Sequence, residues 1–150
     1  MRRAIFAIAF TLLAAGTAPA SPPGVMATVH QFIDGLNKGD MKTGLAACAA
    51  RSSIIDDFPP HTWQGAGACA AWARDFDADS KKRGITQPVV TLGTPKHLLV
   101  TGDRAYVVVP ADYAYKLHGK PVDETTNTLT AALQRVAGHW RITAWAWSKQ

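Results

Sequence analysis

Residues 105–134, AYVVVPADYAYKLHGKPVDETTNTLTAALQ, decide the fold. On either side of His118-Gly119 the residues alternate between apolar or aromatic and polar, so the stretch reads as two long antiparallel strands joined by a tight turn. Pro110 sits inside the first strand and cannot donate to a ladder, which predicts a bulge or bend there. The alternation continues outward through Val89–Leu92, Lys96–Thr101 and Trp140–Lys149, with Gly93, Gly102-Asp103 and Ala137-Gly138 marking the turns. The C-terminal half is therefore a meander of long, curving strands.

Upstream of Val89 the period is helical. Val25, Val29, Phe32, Ile33 and Leu36 recur on one face, which predicts a helix over 25–37 that Gly39 stops. Asp40 can cap a short second helix through Cys48, with Met41, Leu45 and Cys48 on one side. Ser52–Phe58 reads as a short strand ended by Pro59-Pro60. A third helix is expected from Gln64–Gly67 to Lys82, with Trp72 and Phe76 on its buried side and Gly84 closing it. Helices followed by a bent meander make an α+β fold, three N-terminal helices packed on one face of a strongly curved antiparallel sheet.

The chain opens with Met1-Arg2-Arg3, the apolar run Ala4–Ala15 and then Ala18-Pro19-Ala20. That order reads as a secretory signal peptide over residues 1–20, with an uncleaved anchor as the second choice. Residues 21–24 form a linker and residues 25–150 one domain, expected to be exported to the periplasm or beyond. Removing Arg2 and Arg3 lowers the formal charge from +5 to +3. The one dense basic spot, Arg74 with Lys81-Lys82-Arg83, is interleaved with Asp75, Asp77 and Asp79, which reads as a solvated helix face rather than a nucleic-acid footprint. No membrane contact is expected once the signal is removed. In an oxidising compartment Cys48 and Cys69 favour one disulfide, the alternative being two small buried thiols.

Several short stretches carry a resemblance: Phe32-Ile33 with Asn37-Lys38-Gly39-Asp40, then Ile54-Ile55-Asp56-Asp57-Phe58, Trp63-Gln64-Gly65 and Trp140-Arg141-Ile142. In this order and spacing the chain resembles the nuclear transport factor 2-like superfamily, which includes the SnoaL-like cyclases and the ketosteroid isomerases. The resemblance implies a cone: a sheet curled around the helices, with an apolar pocket between them. It also places Asp56 where the isomerases carry their catalytic base. A carboxylate facing an apolar cavity is harder to ionise and shuttles protons better. The plain alternative is that Asp56 and Asp57 bond nearby backbone before the prolines.

The rest of that machinery is missing. Phe32 falls where the isomerases have a tyrosine, and Thr128 or Ala132 falls where they have a protonated aspartate, so the strong donors that hold an oxyanion are absent. Strand parity nevertheless groups Glu124, Thr126, Thr128 and Thr130 on one face, Tyr113 with Tyr115, and Trp145 with Trp147. Together with Phe32, the residues Tyr113, Tyr115, Thr128, Trp145 and Trp147 are candidates to line a pocket for a flat apolar ligand, or else to fill the core. The same parity turns Leu129, Ala131 and Leu133 outward, where they would support a homodimer through the outer sheet face. The five scattered histidines suggest no metal site, and no cofactor motif is present.

Three functions are compatible with these residues. The favoured one is a non-catalytic domain that binds a small apolar molecule, which calls for a cavity of ~300 Å³ or more. The others are a proton-transfer enzyme with Asp56 as base and an interaction module with a filled cone.

Overall fold

The protein is described here by a computed structural model covering residues 22–149, so the signal peptide assigned to residues 1–20 lies outside the described residues. The elements in chain order are α1 Pro22–Asn37, α2 Met41–Leu45, β1 Cys48–Ile55, β2 Thr62–Ala66, α3 Ala68–Arg83, β3 Ile85–Leu92, β4 His97–Thr101, β5 Arg104–Leu117, β6 Lys120–Val136 and β7 His139–Ser148. Among the described residues the architecture is α+β, with three helices against a large curved sheet. Its strand order is β2-β1-β7-β6-β5-β3, and β4 pairs with the other stretch of the β5 edge.

Local chemistry accounts for several departures from the sequence reading. Residues 22–24 of the segment read as a linker open α1 instead, because proline fits a first helical turn, where its missing N–H has no partner to lose. The second helix ends at Leu45, and Cys48 already starts β1. The sheet is mixed rather than purely antiparallel, since β1 runs parallel to β7. β2 completes it as an antiparallel edge strand that the sequence reading had assigned in part to α3. Gly67 and Gly84, both in the left-handed region, bound α3.

Pro110 pairs with Thr128 in regular register and lies where the β4 and β3 pairings to β5 change over, so a missing N–H costs no ladder bond there. The irregularity comes just beyond it. Ala111 pairs with Asn127 but Tyr113 with Glu124, leaving Thr125 and Thr126 opposite Asp112. Thr126 takes φ +70°, and the buried Asn127 side chain donates to the Glu124 carbonyl at 2.9 Å across the bulge.

This bulge reverses the parity of everything after it. Glu124 stays on the inner face, but Leu129, Ala131 and Leu133 are inside too, at 2%, 1% and 1% exposure. The outward apolar row expected to support a homodimer is therefore core, and Thr128 points away from the cone. A second register shift on β7, at Thr143, puts Trp140 and Ile142 on the same inner side as Trp145.

The core joins Val25, Val29, Phe32 and Ile33 of α1 to Trp72 of α3 and the inner sheet residues Ile54, Val107, Val109, Leu129, Leu133, Ile142 and Trp145. Cys48 and Cys69 form a disulfide with Cα atoms 6.6 Å apart, tying the start of β1 to the start of α3. Helices α1 and α2 meet through paired glycines, and a Cβ on Gly35 would collide with the Gly44 Cα and backbone nitrogen.

Gly35→Ala should therefore destabilise the protein by about 1–3 kcal/mol, because neither helix backbone can yield as a side chain would. Urea denaturation checks this. A gain of ~1 kcal/mol, the helix-propensity effect alone, would show that the contact is not tight.

Candidate functional site

β1 delivers Ser52, Ile54 and Asp56 to the inner face by simple alternation, and Asp56 is the first residue past the strand. Its backbone N–H donates to the His61 carbonyl at 3.1 Å, closing the Pro59-Pro60 loop and fixing the carboxylate's direction. The residue is 9% exposed. Oδ2 accepts the Trp72 indole N–H at 2.7 Å, and Oδ1 accepts the Asp57 backbone N–H at 2.8 Å. Burial raises the Asp56 pKa to about 6, overcoming the opposite pull of the Trp72 and Asp57 hydrogen bonds, with the Asp57 charge adding to the rise.

Aromatic rings share the cavity with this carboxylate. Trp72 stacks on Phe76 at 5.4 Å, meets Trp145 edge-on at 4.8 Å and touches Phe32 at 5.8 Å between centroids. These rings belong to one cavity of about 90 Å³, which Tyr113 and Trp147 also line, themselves edge-to-face at 6.3 Å. The Tyr113 hydroxyl and the Trp145 indole N–H are buried without a hydrogen-bond partner among the described residues. Burial, then the neighbouring Tyr115 and Glu124, raise the Tyr113 pKa well above the usual phenol value, so the hydroxyl stays a neutral donor.

The rim is charged. Lys149 Nζ lies 2.7 Å from Asp57 and 2.9 Å from Glu124, linking the loop after β1 to β6. Burial works against the Lys149 ammonium, but the two carboxylates outweigh it and hold its pKa above the ordinary value. The other Glu124 oxygen accepts the Tyr115 hydroxyl at 2.9 Å. Across the rim, Arg83 pairs with Asp79 at 3.4 Å.

Of the candidates read from sequence, Asp56, Phe32, Tyr113, Trp145 and Trp147 line the cavity. Tyr115 stands behind it, touching Tyr113 at 4.8 Å and supporting Glu124. Thr128 is on the opposite face, for the parity reason given above. Sequence reasoning missed Lys149, although it continues the inward alternation of Trp145 and Trp147. It also read Trp72 and Phe76 only as core, with no sign that the Trp72 N–H would meet Asp56. Among the described residues no group of three or more His, Cys, Asp or Glu is arranged to hold a metal.

No protein-family model and no curated protein matches the chain. Solved structures do. A nuclear transport factor 2-like superfamily protein from Salmonella enterica superposes with a TM-score of 0.71 at 15% identity, over 85% of this chain and 89% of that one. A ketosteroid isomerase-like protein from Erwinia carotovora gives 0.67 at 14% identity, over 85% and 94%. A nuclear transport factor 2-like protein with a cystatin-like fold from Novosphingobium aromaticivorans gives 0.67 at 14% identity, over 85% and 80%. The chain thus has the nuclear transport factor 2-like cone fold, and identities this low establish the fold alone.

Asp56 also makes stability depend on pH. Its folded pKa is raised, so between about pH 4 and 6 the native state binds more protons than the unfolded chain, and stability falls as pH rises through that window. Asp56→Asn has no such proton to lose. Measured by urea denaturation at pH 4 and 7, the wild type should lose about 2–3 kcal/mol relative to the variant. Parallel pH profiles would contradict the desolvated carboxylate.

Proposed function

We propose that the cone binds a compact small molecule with a largely apolar body. The observation that carries this reading is a cavity whose lining residues carry unused polar groups. A cone packed only for stability has no reason to keep a desolvated carboxylate, an unpaired hydroxyl and an unpaired indole N–H on residues around one cavity, since each such group costs free energy. A cavity of about 90 Å³ is well below the ~300 Å³ of ordinary drug-sized sites, so the ligand is a molecule of a few heavy atoms rather than a steroid. An exported protein is part of this reading, supported by a disulfide that suits an oxidising compartment.

A second reading, proton transfer with Asp56 as base, is favoured by one observation: its pKa of about 6 suits a carboxylate that takes and returns protons near neutrality. The likeness to a ketosteroid isomerase-like structure is consistent with that chemistry without assigning it.

Cyclohexanone, a compact ring with one acceptor and exchangeable α-hydrogens, tests both readings. Its entry into the cone should perturb tryptophan fluorescence, and Trp147→Ala should weaken binding by about 1–2 kcal/mol. No spectral change up to the solubility limit would count against a binding cone. In D2O the binder reading expects α-exchange no faster than in buffer. The enzyme reading expects acceleration on the order of 10²-fold or more that Asp56→Asn removes.

A further inference from the structure

Four carboxylates line the cone, Asp56, Asp57, Asp79 and Glu124, against two cations, Arg83 and Lys149. Both cations are taken by the outer carboxylates, Lys149 by Asp57 and Glu124 and Arg83 by Asp79. Asp56 has no cation partner among the described residues. Its oxygens accept only the indole N–H of Trp72 and the backbone N–H of Asp57. Neutral donors offset the desolvation of a buried carboxylate only in part, and an opposite charge offsets it far better.

The walls select the kind of cation. Phe32, Trp72 and Trp145 converge beside Asp56 with centroids 4.8–5.8 Å apart, and aromatic faces attract an organic cation with an apolar surface. The donors left over have a use as well. Tyr113 and Trp145 line the same cavity, and the hydroxyl of one and the indole N–H of the other lack a partner among the described residues, so an oxygen on the same ligand would give them one.

We propose that the occupant of the cone is a small organic ammonium ion bearing an oxygen, with Asp56 as its counter-ion and the aromatic wall around its alkyl groups. The claim rests on the cone being a binding site and adds the charge and chemical class of what it binds. Asp56 is ionised above about pH 6 and neutral below it, so binding of the cation should fade in acid. The other titratable groups facing it are Asp57 and His61 from its own loop, Asp79 and Arg83 from α3, Tyr113 from β5, Glu124 from β6 and Lys149 after β7.

Choline and its neutral carbon isostere 3,3-dimethylbutan-1-ol share a shape and a hydroxyl and differ in charge. Titrated into the protein and followed by tryptophan fluorescence and calorimetry at pH 7.5, choline should bind roughly tenfold tighter or more. The preference should shrink about tenfold at pH 5 in the wild type and disappear at pH 7.5 in Asp56→Asn, the second arm assigning the loss to Asp56 rather than to its titratable neighbours. If Asp56→Asn does not fold, the pH arm on the native protein carries the test alone. Equal binding of the two compounds at pH 7.5, a preference for the alcohol, or a choline preference undiminished in either arm overturns the proposal while the cone remains a binding site. If choline, the alcohol and cyclohexanone all fail to register, the proposal and the binding-site reading fall together.

Discussion

The Trp72 indole N–H and the Asp56 carboxylate, 2.7 Å apart in a buried setting, fix how α3 sits against the sheet and what the cone contains. Cys69 lies three residues before Trp72 and therefore on the same helix face, bonded to Cys48. Helix α3 is thus held to both ends of β1, covalently at Cys48 and through a hydrogen bond just past Ile55. With the helix set in this way, Trp72 can stack on Phe76 and meet Trp145 edge-on, which walls the carboxylate away from water. The hydrogen bond and the desolvation oppose each other in their effect on Asp56, and desolvation wins. That imbalance is why the site is chemically interesting.

The strands and helices were legible because their periods are strong. Alternation from Val89 onward and the 3.6-residue stripe of Val25, Val29, Phe32 and Ile33 each admit one reading. Cys48 and Cys69 were legible as a pair from their number and the expected compartment. The parity of β6 was not. Nothing in TTNTLT marks Thr126 as a residue with positive φ, and one extra residue exchanged the fates of Thr128 and Leu129. The parallel pairing of β1 with β7 was equally hidden, since it joins strands from opposite ends of the chain and leaves no local signal.

The site shows the same division. Asp56 could be placed by counting from Gly39-Asp40, and Trp145 with Trp147 by strand alternation. The partners that give Asp56 its character come from distant sequence: Trp72 from α3, Tyr113 from β5 and Glu124 from β6. Which carboxylates are already paired is a three-dimensional fact. Lys149 pairs with Asp57 and Glu124 and leaves Asp56 without a cation, so two adjacent aspartates in sequence end with opposite roles. One holds the rim, and the other faces the cavity.

The central claim is that Asp56 is a desolvated carboxylate with no cation beside it, and carbon-13 NMR of its side-chain carboxyl across a pH titration tests it most directly. The account predicts a midpoint at about 6, with no titration there in Asp56→Asn. A midpoint near 4, the ordinary value for an aspartate, would mean that water or a cation already satisfies the carboxylate, and would contradict the account.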